Sequence, residues 1–283
     1  MAELGPKPIK AYKTPDFLGS RQARTIRVLC EMQETAQRMT TSEIEGTVLF
    51  FGSARSRTTA QWETKFAEMK AAGEDTTRFV KTKFMCEYHE KITQLASKVA
   101  TFLEQPKFQK VGILTGGGPG MMEAANQGAY QVNPSKSIGM GISLPFEPSL
   151  NPYVTPELAF EFHYFFTRKF WMVLQAMALV VAPGGVGTMD ELFEVMTLQQ
   201  CGKIKVKFPI ILFGKSYWQK VVNWDYLVEC GTIAQSDVDS LFFTDDVEEA
   251  YQHISRSLYE QASMGILGKG FGGASRRGSM LTK

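Results

Sequence analysis

The chain is poor in the residues that announce metal or thiol chemistry. Its three histidines are His89, His163 and His253; its four cysteines are Cys30, Cys86, Cys201 and Cys230. No two cysteines stand at metal-ligand spacing and the histidines complete no ligand set with them, so reduced structural thiols are expected, with no metal and no cofactor. No window of eighteen apolar residues occurs, which excludes a membrane-spanning helix. The opening segment MAELGPKPIKAYKTPDFLG lacks the apolar stretch of a secretory signal, and the expected location is cytoplasmic. Charge of one sign is also missing. With 31 basic against 29 acidic residues the net charge is +2, too small to argue for nucleic acid or an acidic membrane as partner. A small-molecule ligand is expected instead.

What is present is glycine in particular places. The run Leu179-Val180-Val181-Ala182 reads as a buried strand, breaks into Pro183-Gly184-Gly185-Val186-Gly187-Thr188-Met189-Asp190-Glu191, and opens into the helical pattern Leu192, Phe193, Val195, Met196, Leu198. Glycines let the backbone approach a ligand closely, and the following helix start offers unpaired N–H groups with a partial positive charge. An anion fits there. The pattern occurs a second time, where the strand Val111–Thr115 runs into Gly116-Gly117-Gly118-Pro119-Gly120 and a helix from Met121 to Tyr130. A third strand, Thr47–Phe51, ends in Gly52-Ser53-Ala54-Arg55-Ser56-Arg57, whose hydroxyl and guanidinium groups either serve a phosphate or form an exposed polar turn.

Between these motifs strands and helices alternate. Helices are expected over 20–39, 85–103, 167–177, 217–229 and 246–258, and strands at 137–143, 209–214 and 241–243. Continuous apolar strands alternating with helices predict an α/β fold, a doubly wound, mostly parallel Rossmann-like sheet with helices on both faces. The expected organisation is an N-terminal arm and helix over 1–45, the Rossmann-like domain over 46–262 with a polar insertion at about 58–84, and a flexible Gly/Ser/Arg-rich tail over 263–283. At 283 residues, 44% of them hydrophobic, the chain can bury a substantial core.

In an open parallel sheet, ligands bind outside the carboxyl ends of the strands, and both glycine loops follow strands. The helix carrying Arg168 and Lys169 spans roughly ten residues, ~15 Å. That nearly matches ~17 Å for the five-residue strand it feeds, so Arg168 returns to the same rim as Gly184–Glu191. Neither loop ends in the Gly-Lys-Ser/Thr of a Walker A, and neither fits G-x-G-x-x-G with a strand-end acid beyond it. Two facing anion cradles suit a monophosphate with a sugar between them. Glu191 has two readings. Thr188 to Glu191 fits a capping box, with Thr188 as N-cap and Glu191 at N3. Alternatively the carboxylate, held ionised near a helix start, activates water or steadies a cationic transition state, as cleavage at a sugar carbon requires.

These residues resemble a known family. Pro183 through Glu191 matches the P-G-G-x-G-T-x-x-E motif of the LOG ("Lonely Guy") proteins, often misnamed lysine decarboxylases; Arg168-Lys169 matches their Arg-Lys pair, and Gly116 through Ala124 resembles their first glycine loop. The resemblance covers about 48–213. It implies phosphoribohydrolase activity: AMP or cytokinin riboside 5′-monophosphates hydrolysed to free base and ribose 5-phosphate by a homodimer without metal. It makes Arg168 and Glu191 the catalytic pair. It lines the nucleotide pocket with Glu147, Lys169, Gly184, Gly185, Gly187, Thr188, Asp190 and Thr197, and adds Gly117, Gly118, Gly120 and Met121, with Ser53 beside them, as holders of phosphate. The alternative is a non-catalytic nucleotide or cofactor carrier on the same fold, like the molybdenum-cofactor carrier proteins. A lysine decarboxylase would call for an electron sink such as a pyridoxal Schiff base, which no sequence feature demands.

Overall fold

The computed structural model describes residues 8–144 and 149–265. Helices α1 (Pro15–Gly19) and α2 (Arg24–Thr41) precede strand β1 (Gly46–Phe51). Helices α3 (Thr59–Ala71), α4 (Thr77–Val80) and α5 (Phe84–Leu103) lead to β2 (Val111–Thr115), and α6 (Met121–Val132) leads to β3 (Ser137–Ile142). Strand β4 (Ala159–Phe162) feeds α7 (Phe165–Leu174), β5 (Ala176–Val181) feeds α8 (Val186–Gln200), and β6 (Ile210–Phe213) follows. Helices α9 (Lys215–Val221), α10 (Trp224–Glu229) and α11 (Gln235–Asp239), strand β7 (Leu241–Thr244) and helix α12 (Val247–Ser263) complete the chain.

The seven strands form one sheet in the order β4-β3-β2-β1-β5-β6-β7, every neighbouring pair parallel. Successive strand residues point to opposite faces, and the core divides accordingly. Val48, Phe50, Ala178, Val180, Ile211 and Phe213 pack against α5, α6 and α12. Leu49, Phe51, Leu179, Val181, Ile210 and Leu212 pack with α2, α7, α8 and the tryptophans of α9 and α10. Both faces are covered, which is why the strands read as unbroken apolar runs. The chain builds outward from β1 to β4 and then crosses back to place β5 on the other side of β1. That reversal opens a crevice at the carboxyl ends of β1 and β5, the general ligand position in such sheets.

One expectation needs correction, and two segments carry elements that the sequence pattern did not show. The aromatic run at 160–166 contains the edge strand β4, paired with β3 from Gly139↔Ala159 to Ile142↔Phe162. The single helix expected over 217–229 is two, broken at Val222, whose backbone is extended. The polar stretch 58–84 carries helices α3 and α4: Thr58 opens α3 with a capping box in which Gln61 N–H donates to the Thr58 hydroxyl and the Gln61 side chain accepts from the Thr58 amide. Of the tail expected over 263–283, Ser263 closes α12 and residues 266–283 fall outside the described residues. Among the described residues, no helix is long and apolar enough to cross a membrane.

Helices α5 and α6 pack closely because Gly128 lies between them. A Cβ built at Gly128 would run into the Thr93 carbonyl oxygen and come 2.9 Å from the Ser97 amide, both backbone atoms that cannot rotate away. Gly128→Ala should therefore destabilise the fold by about 1–3 kcal/mol through overpacking, although alanine is the better helix former. Urea unfolding of the two proteins measures the difference.

Candidate active site

Three loops meet at the carboxyl rim. Ser53, just beyond β1, ties them together: its amide donates to the Pro183 carbonyl at 3.0 Å, and its own carbonyl accepts from the Met121 amide at 3.0 Å. Gly120 has φ +72, and a Cβ there would strike the Ser53 carbonyl, so both conformation and space demand glycine. These contacts commit the Met121 amide to the protein. The Gly117 amide is committed too, donating to Thr115 Oγ1 at 2.8 Å. The first glycine loop is thus held chiefly by a buried polar network. Thr115 Oγ1 donates to Asn126 Oδ1 at 2.6 Å. Asn126 Nδ2 donates to Ser137 Oγ at 2.9 Å. The Asn151 side chain lies 3.1 Å from each of the Gly117 and Gly118 carbonyls and 2.9 Å from Asn126 Oδ1. Buried amides persist only when their hydrogen bonds are made, so this network fixes the loop. Sequence reading missed Asn126 and Asn151, because lone asparagines carry no motif.

The second glycine loop is arranged differently. Helix α8 begins at Val186, with Gly185 as N-cap and no side chain capping it. Thr188 is therefore at N3 and Glu191 three positions further in, which rules out the expected Thr188–Glu191 capping box. Thr188 is buried instead beneath Gly184, where a Cβ would collide with it. Gly185 and Gly187 are exposed, and a Cβ at either would meet nothing within 4 Å. Neither has a positive φ. Packing and conformation therefore require glycine at neither position, and the open space lies directly over the first amides of α8, the place where an anion is favoured. Tyr217 steadies this turn by donating its hydroxyl to the Gly184 carbonyl at 2.5 Å.

Arg168 sits in the first turn of α7 and is buried. Its Nε donates to the Met140 carbonyl at the end of β3, 2.7 Å. A Cβ on Gly116 would come 2.5 Å from its Nη2, and its Nη1 lies 3.6 Å from Glu191 Oε1. Arg168, Glu191 and the first glycine loop are thus adjacent at the carboxyl rim. Glu191 is 3% exposed, and its Oε2 accepts no hydrogen bond among the described residues. Burial pushes its pKa up to about 7, against the lowering pull of Arg168 and Lys169. Desolvation at this depth outweighs the attraction of the two neighbouring cations.

Lys169 and Asp190 are brought together with each other. Lys169 Nζ lies 2.7 Å from Asp190 Oδ2 and 2.8 Å from Glu194 Oε2. Burial alone would lower the lysine's pKa, but the hydrogen bonds to Asp190 and Glu194 reverse this and raise it. Thr197 is exposed and bonded to the Phe193 carbonyl of its own helix, about three turns beyond the cradle at the start of α8. Glu147 lies outside the described residues. Among the described residues no group of three or more His, Cys, Asp or Glu could hold a metal.

A family model described as "Possible lysine decarboxylase" matches residues 122–254. No curated protein sequence matches the chain significantly. Similar solved structures include the structural-genomics protein TM1055, 20% identical, covering 75% of this chain and 99% of that one with a TM-score of 0.46. They also include the Moco carrier protein from Chlamydomonas reinhardtii (16% identity, 76% and 98% coverage, TM-score 0.42) and the molybdenum cofactor binding protein from the phototrophic bacterium Rippkaea orientalis (14%, 75% and 95%, 0.41).

A carboxylic acid whose folded pKa is raised contributes stability at low pH and loses it as pH climbs from the unfolded value, 4.5, through about 7. Glu191→Gln should therefore stabilise the protein more at pH 8 than at pH 5, by up to about 3 kcal/mol. Thermal melts of both proteins across that range check the sign. The match at 122–254 contains Arg168, Lys169 and the whole Pro183–Glu191 turn, the residues on which the resemblance to the LOG proteins rests.

Proposed function

We propose that this protein hydrolyses the N-glycosidic bond of nucleoside 5′-monophosphates, of AMP or cytokinin riboside type, releasing free base and ribose 5-phosphate. The observation that carries the reading is Glu191: a buried carboxyl with one unbonded oxygen, 3.6 Å from a buried guanidinium and beside an uncapped glycine helix start. In this reading the phosphate rests on the first amides of α8, over Gly185 and Gly187. Water forms the new C1′–O bond as the C1′–N bond breaks; the bonding electrons pass to the leaving base, and the proton that Glu191 takes from the water is released in turn to neutralise that base. Glu191 as carboxylate takes the proton of the attacking water and faces the cationic sugar carbon. Arg168 keeps enough of Glu191 ionised near neutrality for that task.

Lysine decarboxylation has less support. The Schiff-base lysine of a pyridoxal mechanism is activated by a lowered pKa, whereas Lys169 is held protonated between Asp190 and Glu194. A carrier on this fold would bind nucleotide without turnover.

Incubation with AMP and chromatography of the released base separates the readings. Adenine is expected from the wild type. Glu191→Gln should lower kcat by about 10²–10⁴-fold, and kcat/KM of the wild type should fall on the acid side of about pH 7 as Glu191 takes up its proton. Binding without adenine release from any mononucleotide would instead identify a carrier.

The homodimer is likewise a proposal. Phe165, Phe166 and Phe170 of α7 are 53%, 60% and 40% exposed, and Ile26 and Leu29 of α2, a helix in contact with α7, are 40% and 55% exposed. A patch of this kind marks an interaction surface. Phe166→Glu should convert a dimer to monomer in sedimentation velocity, and a wild-type monomer would refute the dimer.

A further inference from the structure

Helix α2 belongs to the N-terminal region, for which the sequence motifs supply no role. It lies along β4, the edge strand of the sheet, which among the described residues has no strand neighbour on its outer side to fix it. Two residues of α2, seven apart and so two turns along one face, grip the two ends of that strand. Arg38 holds the beginning: its Nη2 donates to the Glu157 carbonyl at 2.7 Å and the Ala159 carbonyl at 2.9 Å, and its guanidinium lies over the Phe160 ring, 4.2 Å from the centroid. Glu31 holds the end. Its Oε1 accepts from the His163 amide at 2.8 Å and its Oε2 from the Thr167 hydroxyl at 2.5 Å.

His163 and Thr167 flank the start of α7, whose N-cap Tyr164 makes no side-chain cap bond. Glu31 therefore performs from a distant part of the chain what a local capping residue would do. It satisfies an amide at the helix entrance and sets a negative charge near the positive end of the dipole. The residue after Thr167 is Arg168. We propose that Glu31 is a positioning residue for Arg168: by clamping His163 and Thr167 it fixes the first turn of α7, and with it the angle at which the guanidinium meets Glu191. Helix α2 is then a working part of the site. The inference rests on the proposed roles of Arg168 and Glu191.

The test uses the full chain with Glu31→Ala, Glu31→Gln and Thr167→Val. Glutamine keeps the size and one acceptor oxygen; valine removes the Thr167 hydroxyl without changing its volume much, so at least one variant retains the fold. Glu31→Ala should lower kcat for AMP about 10- to 100-fold, the scale of a misplaced catalytic group, while KM changes less than about threefold because the phosphate is held by α8. Glu31→Gln should recover most of the loss, and Thr167→Val should fall between. Glu191 is faced by Arg168 and Lys169 from α7 and by Glu194 and Asp190 from its own helix. Loosening Arg168 removes the strongest pull toward the ionised form, so the acid limb of the rate profile should move to higher pH in Glu31→Ala.

An unchanged kcat and acid limb, or a change confined to KM, would overturn the inference while leaving the hydrolase reading intact. If the wild type cleaves no mononucleotide, the hydrolase reading falls instead. The positioning role is then decided by the pH dependence of thermal stability, which reports Glu191 without turnover. Its midpoint should still rise in Glu31→Ala if Glu31 holds Arg168 in place, and an unmoved midpoint refutes that.

Discussion

Taking a carboxylate out of water is costly, and the 3% exposure of Glu191 is compatible with ionisation only because the Arg168 guanidinium lies 3.6 Å away. Much of the architecture can be traced to delivering those two groups to one point. They sit on successive helices, α7 before β5 and α8 after it, and a parallel sheet brings the start of both to the same rim. Glu191 enters from the first turns of α8; Arg168 enters from the first turn of α7, bonded to the end of β3. The balance between desolvation and charge attraction leaves the acid near neutrality, the range in which one group can exist in either protonation state.

The loops around the pair divide the labour. The first glycine loop is locked by Thr115, Asn126 and Asn151, and spends its Gly117 and Met121 amides on internal bonds. The second leaves the α8 start without a side-chain cap and the space over Gly185 and Gly187 open. The two loops look alike as strand-glycine-helix patterns, yet they differ in how much of their backbone is already engaged within the protein. Ser53 matters as backbone: its amide and carbonyl join the β1 loop to both glycine loops, and its hydroxyl accepts from the Arg55 amide within its own turn.

The fold was largely legible, because buried parallel strands must be apolar throughout and the glycine turns punctuate them. Strand β4 was not: it has four residues and only Phe160 and Phe162 buried, so its pattern merges with the aromatic start of α7. Capping boxes show the limit most clearly. The Thr58–Gln61 pattern forms one, while the Thr188–Glu191 pattern does not. Thr58 has the extended backbone of an N-cap, whereas the chain has already entered the helix two residues before Thr188. Spacing is the same in both; the local dihedral angles decide.

By itself the sequence determined the class of sheet, the two glycine turns and the adjacency of Arg168, Glu191 and the first loop. These follow from hydrophobic periodicity and from the lengths of strands and helices, which are local properties. Only the tertiary structure decided that Glu191 is buried and raised, that Lys169 is occupied by Asp190 and Glu194, that Asn126 and Asn151 support a loop, and that Glu31 reaches the start of α7 from 132 residues away in sequence. Burial, solvation and long-range hydrogen bonds depend on which surfaces meet, and no stretch of chain carries that information alone.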